Sequence, residues 1–544
     1  MMPHLVVVPI VLPLLTAASL LFIGAKRWRL GSAINVTATL AGLLVAVELL
    51  RRADGSGASG TVAVYLAANW QVPFGISLVA DRLSALMLVL VGVVSLCSAI
   101  YAEAGWARAN VYFYPLFQVQ LMGLNGAFLT GDLFNLFVFF EVLLAASYGL
   151  QLHGSGASRV RSGMHYIAVN LIASALFLVA LALLYGVMGS LSMADIADRL
   201  GSIPESDRGI FYVGSTILGV VFLVKAAIWP LNAWLVPAYT AASAPVAALF
   251  ALMTKVGVYA LLRLWMLLFS ADAGPFSHFG QPVLLYGGLT TIAIGAIGLM
   301  STIRLGRIAG YSLIVSSGTL LAAMGMGAAS VTAAALFYMV SATLAVSALF
   351  LVVELVERIG AEGPPRLHEV EFEPDEDTNL DDDETPLVGR SFPVSIALVG
   401  MAFVSCALLV SGQPPLSGFV AKLSLLSTST GQTNVGAPTP AAWWILGLLL
   451  VSGLVAMVSL ARAGIRHFWA TSERLAVRVR ALEAASVLAL IAGGILLTVW
   501  AEPALRYARA TATELHAPSG YIQAVLSTQP RPRPSSQPQS EDAL

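Results

Sequence analysis

The sequence predicts an all-α polytopic membrane protein, and three observations carry the prediction. Of its 544 residues, 58% are hydrophobic and only 11% charged, with mean hydropathy +0.83. A soluble chain of that length would lack the charges to cover its surface. Apolar runs of roughly 17–25 residues recur from end to end, each long enough to cross about 30 Å of hydrocarbon. Two of these runs are interrupted by prolines beside a lysine, the pattern of broken helices that hold ion sites near the membrane midplane.

The first run, 3–23, is followed by Lys26, Arg27 and Arg29 and lacks a small-residue cleavage site, so it reads as a retained helix rather than a removed signal peptide. Further spans are expected at 31–50, 78–101, 111–129, 132–152, 165–188, 209–229, 243–268, 281–301, 308–326 and 332–356. The last are 392–411 (continuing as a half-helix to 428), 441–463 and 483–502, which makes about fourteen helices in all. Three helices occupy 1–110, a five-helix unit 111–268, a second unit 269–463, and a last helix 464–505, with a flexible tail over 506–544.

Three stretches read as lying outside the bilayer. SLSMADIADRLGSIPESD at 190–207 reads as an amphipathic surface helix. The acidic run EVEFEPDEDTNLDDDET within 360–390 repels itself and is expected as a solvated cytoplasmic loop, without EF-hand spacing. The Pro- and Ser-rich end, STQPRPRPSSQPQSEDAL, is expected to be disordered. With the N-terminus outside, inner loops collect thirteen Lys and Arg, and outer loops only Arg51, Arg52, Arg199 and Arg208. That bias predicts a multi-pass protein of the cell membrane with both termini extracytoplasmic.

Ionisable residues inside the spans point to chemistry. Lys26, Lys225, Lys255 and Lys422 are the four lysines among 29 Lys plus Arg, so 25 are arginine. Three of the four nevertheless sit in apolar segments. An arginine keeps its proton in a protein, whereas a buried lysine can give it up. Lysine is thus placed where a titratable cation is needed. Glu141 lies about nine residues into the span that opens at Asp132. A buried carboxylate and lysine stabilise each other's charged forms, and separating them releases the lysine's proton, which makes a switchable site. Pro230 and Pro237 break the seventh span after Lys225. Gly412, Pro414, Pro415 and Gly418 break the twelfth before Lys422. Breaks five spans apart are what two inverted five-helix repeats, helices 4–8 and 9–13, would produce.

Other features are weaker. Asp81 reads as an interface marker and His165 as interfacial. Ser312, Ser316 and Ser317 can hold water on the tenth span, and Glu354 and Glu357 read as solvated. Cys97 and Cys406 read as packing residues. No metal-type spacing, phosphate loop or dinucleotide fingerprint occurs, so no metal or cofactor site is expected; nor does a net charge of −1 suggest a nucleic-acid partner.

The runs DLFNLFVFFEVLLAASYGL, KAAIWPLNAWLVPAY, ALFALMTKVGVYALLR and QPPLSGFVAKLSLL resemble the antiporter-like membrane subunits of respiratory complex I. They are most similar to the D-type subunits of multi-subunit Na⁺(cation)/H⁺ antiporters of the Mrp/Mnh type. The resemblance implies a component of a secondary transporter rather than an enzyme, with protons and a monovalent cation as cargo and other membrane subunits as partners. It also implies that Glu141 and Lys225 form an acid–lysine pair, Lys255 the central relay and Lys422 the distal one. Asn232, Tyr239 and Ser316 stand where complex I relatives often carry histidine. Those departures favour the antiporter branch and imply a serine- or water-bridged path from Lys255 to Lys422. The rival reading is the proton-pumping subunit of a complex I-like NADH-quinone oxidoreductase or of a membrane hydrogenase, whose redox groups would lie on other subunits.

Overall fold

A helix lies along each of the apolar runs, because backbone in hydrocarbon must satisfy its own N–H and C=O groups. The structure, a computed structural model, describes residues 3–24, 27–55, 62–106, 112–154, 156–271, 273–361, 394–431, 440–468 and 479–530. The chain opens with α1 (Val8–Ile23), α2 (Trp28–Asp54), α3 (Arg82–Ala102), α4 (Phe113–Leu129), α5 (Leu133–Gln151) and α6 (Ala157–Met188). The short α7 (Met193–Arg199) leads to α8 (Glu205–Lys225), a break, α9 (Leu235–Ala241) and α10 (Ala244–Leu268). Next come α11 (Gln281–Ser301), α12 (Leu305–Gly325) and α13 (Ala329–Ala361). A second broken pair, α14 (Val394–Ser411) and α15 (Ser417–Ser429), precedes α16 (Pro440–Phe468), α17 (Ala481–Val499), α18 (Ala501–His516) and α19 (Ser519–Leu526).

Among the described residues twelve helices are long and apolar enough to cross a membrane. Of the fourteen expected spans, α1 and α4 are the short ones, at 16 and 17 residues. A small hairpin, β1 (Ala63–Leu66) against β2 (Ser77–Ala80), was not foreseen; it starts with Ala63 opposite Ala80.

The helices divide by exposure. α10, α12 and α13 are almost wholly covered by protein, whereas α2, α16 and α17 keep broad apolar faces exposed to the surroundings. Helices in a bilayer gain little from apolar burial against one another, so close approach through small residues holds them. Between α11 and α12 a Cβ on Gly288 would collide with the Ala322 backbone nitrogen, so only glycine fits there.

Two expectations need adjustment. The stretch 190–207 is a surface helix only in part: α7 spans Met193–Arg199, with Met193, Ala194, Asp195 and Ile196 buried and Asp198 and Arg199 exposed. The region from 506, expected as a flexible tail, is helical to Leu526. Ala508, Ala512 and Leu515 recur at helical spacing, and their burial holds α18 against the bundle. All of the acidic loop expected at 360–390 beyond residue 361 lies outside the described residues, as does the end of the chain from 531.

Candidate functional site

Each break has a lysine beside it. Lys225 is the last residue of α8, where the helix dipole favours a cation. Beyond it the chain turns through Ala227 at φ 57, and the Trp229 N–H, left without a helical partner, donates to the Thr291 hydroxyl of α11 at 3.0 Å. Pro230 sits exposed in this break and Pro237 exposed in α9, while Asn232 between them is buried. In the second break Gly412 takes φ 77, a left-handed conformation suited to glycine. A Cβ there would lie 2.6 Å from the Lys422 side chain. Lys422, on α15, reaches back across the break and donates to the Ser411 carbonyl at the end of α14, at 2.6 Å. That carbonyl is one of the unpaired acceptors at a helix C-terminus. Pro414 and Pro415 lie exposed in the same break. The two lysines sit on opposite sides of their breaks in sequence, Lys225 as the last residue of α8 and Lys422 bonded to the last carbonyl of α14.

Lys255 lies mid-way along α10 with 0% of its surface exposed. Its Nζ donates to the Ser316 hydroxyl of α12 at 2.8 Å. Ser316 also lines a cavity of about 20 Å³, shared with Ser312, Tyr338, Ser341 and Lys422. That is room for about one water among polar partners. The pocket brings the Lys255 partner and the Lys422 side chain to one small space. Ser341 of α13 and Ser417 of α15 extend the polar lining, their hydroxyls 2.9 Å apart.

On the other side of α10, a Cβ on Gly257 would fall 2.6 Å from the Ala226 nitrogen and 2.8 Å from the Lys225 carbonyl carbon. The bare glycine therefore lets α10 close on the α8 break, two residues from Lys255. Lys225, 5% exposed, donates to Asn170 Oδ1 at 3.2 Å and lies 5.6 Å from the Phe140 ring centre. Half-buried Glu141 on α5 accepts from the Ser174 hydroxyl. Glu141 and Lys225 make no direct ion pair; each bonds a polar group of α6 instead. Asn170 and Ser174 were missed in the sequence. Their signal was two polar residues four apart in an apolar run.

A buried ion pair was missed as well. Asp81 caps α3 through Ser84 and receives both arms of Arg263, from the C-terminal part of α10, at 2.6 and 2.7 Å. Glu354, expected to be solvated, is half-buried, bonded to Trp106 at 2.8 Å and paired with Arg358. His165 is exposed, as is Glu357.

A bundle of lipid-length helices, two of them interrupted, encloses three buried lysines, with serines and a water-sized space between Lys255 and Lys422, which is the architecture of a polytopic membrane subunit. The sequence profile described as NADH:quinone oxidoreductase/Mrp antiporter, TM matches residues 130–439. The D subunit of a probable K(+)/H(+) antiporter of Rhizobium meliloti (strain 1021) is 48% identical over 98% of this chain and 99% of that protein. The D subunit of the Na(+)/H(+) antiporter of Alkalihalophilus pseudofirmus is 34% identical over 96% of this chain and 100% of its own. In structure, a chain of the Mrp complex from Dietzia sp. DQ12-45-1b is similar at TM-score 0.79 and 27% identity, covering 97% of this chain and 100% of that one. A chain of an archaeal membrane-bound sulfane sulfur reductase reaches TM-score 0.80 at 23% identity, covering 96% and 99%, which speaks for the fold alone. The chain belongs to the NADH:quinone oxidoreductase/Mrp antiporter transmembrane family, and within it stands with the D-type subunits of Mrp antiporters.

Proposed function

We propose that this chain is the proton-translocating membrane subunit of a multi-subunit cation/proton antiporter, relaying protons from Glu141 and Lys225 through Lys255 to Lys422. The observation that supports this most is the Lys255–Ser316 hydrogen bond opening onto a cavity that Lys422 also lines. An ammonium bonded to a neutral hydroxyl can lose its proton without leaving a carboxylate unpaired, and a hydroxyl accepts and donates in turn. Two relatives are named for K⁺ and for Na⁺, so the exchanged cation is read as monovalent, with other membrane subunits completing its path. The arginine bias of the loops supports placing both termini outside the cell membrane. The breaks after α8 and α14 support reading spans 4–8 (α4 to α10) and spans 9–13 (α11 to α16) as inverted repeats, in a chain divided at 110, 268, 463 and 505.

The test is Lys255→Arg in the assembled complex, in everted vesicles with a pH-sensitive dye. The variant keeps the charge but does not release its proton at working pH. Assembly at wild-type abundance with cation-driven proton movement at least tenfold lower is expected; wild-type exchange would refute the relay.

A further inference from the structure

A second function emerges for α6. Asn170 and Ser174, one helical turn apart, are 1% and 5% exposed. The Asn170 amide nitrogen donates to the Tyr166 carbonyl at 2.9 Å, and this turns its oxygen toward Lys225. Ser174 donates to Glu141. Each charged group thus has a neutral partner on α6, and the two partners are carried on one rigid helix.

We propose that Asn170 and Ser174 are positioning residues that hold Glu141 and Lys225 apart, which makes the acid–lysine couple a switch instead of a fixed salt bridge. The inference rests on the relay reading above. Its physical basis is the contrast between two kinds of partner. A direct ion pair in a low-dielectric interior holds both groups charged. An amide oxygen accepts from an ammonium or from a neutral amine, and a hydroxyl donates to a carboxylate or accepts from a carboxylic acid. The strut therefore serves both protonation states of both groups without moving a helix. The surroundings suit this. α5 presents Glu141 and Tyr148, α6 presents Asn170, Ser174 and Tyr166, and α10 meets the Lys225 backbone with Gly257.

The experiment measures the pH profile of cation-driven proton movement by the intact complex, with native gels for assembly. Asn170→Leu removes the acceptor at similar size, and Ser174→Ala the hydroxyl. Either frees its group to pair directly, so the alkaline limb of the profile is expected to move up by about one pH unit or more, the scale of an opposite charge within about 4–6 Å. Ser174→Thr keeps a hydroxyl and should keep the wild-type profile. If Asn170→Leu does not assemble, the comparison of Ser174→Ala with Ser174→Thr decides alone. Profiles that coincide with wild type after scaling, as loss of mere packing would give, overturn the strut. Lys225→Arg, run alongside, separates the two readings. If it exchanges normally the relay itself fails; if it is inactive while the strut variants keep the wild-type profile, only the strut fails.

Discussion

Lys255 and Ser316 are 2.8 Å apart, Nζ to Oγ, and both are enclosed by protein at 0% and 2% exposure. None of the ion pairs among the described residues involves Lys255. A cation so placed inside a span costs at least about 2.5–3.5 kcal/mol on insertion scales. It sits instead beside a hydroxyl and a water-sized cavity, an arrangement suited to passing a proton rather than to bracing a fold.

Lys225→Arg tests charge type at the first lysine. Arginine preserves the cation at the α8 terminus and should preserve assembly. Exchange is expected to fall at least tenfold in vesicles, since a guanidinium does not release its proton at accessible pH. Exchange at the wild-type rate would mean that Lys225 serves as a fixed charge.

Glu141→Gln keeps the size of the side chain and an acceptor for Ser174, so the complex should assemble in normal amounts. It removes the proposed proton carrier, and exchange should fall about tenfold or more, roughly 1.4 kcal/mol in barrier terms. Normal exchange by Glu141→Gln with poor assembly of Glu141→Ala would assign the residue to packing.

Gly257→Ala probes the close passage of α10 past the α8 break. The added methyl would stand 2.6 Å from the Ala226 nitrogen, and backbone cannot swing aside as a side chain does. Overpacking of this sort costs about 1–3 kcal/mol. A lower melting temperature in detergent and reduced exchange are expected together. An unchanged melt would show that the helices do not approach so closely.

The Asp81–Arg263 pair is a matter of stability. Removing one partner leaves a buried charge alone, at about 3–5 kcal/mol. Arg263→Met and Asp81→Asn should each cut the assembled amount sharply, and the double variant should recover part of it. Double-mutant melting measures the coupling; strictly additive losses would show that the pair is not coupled.

A prediction about partners follows from the scarcity of acids in the bundle. Along the proposed relay Glu141 is the one carboxylate, beside Lys225, Lys255 and Lys422. Such an axis repels Na⁺. The purified chain alone in liposomes is therefore expected to show no Na⁺/H⁺ exchange. Robust sodium-driven proton movement there would place the cation path within this chain.

Residue chemistry alone was enough for the membrane fold, the two breaks and the three lysines inside apolar runs. Desolvation acts residue by residue, so a lysine in a lipid-length run is conspicuous wherever its partner lies. Prolines break a helix by their own covalent structure. What the line of residues did not reveal was which helix lies across from which. Asn170 and Ser174 could each have bonded within their own helix, and only the packing of α6 between α5 and α8 turned them toward Lys225 and Glu141. Arg263 finds Asp81 across 182 positions. Lys422 reaches a carbonyl eleven residues back only because Gly412 bends the chain between them. Polar groups choose partners by direction and distance in space, and those are set by how bare glycines let the helices close, which no single residue records.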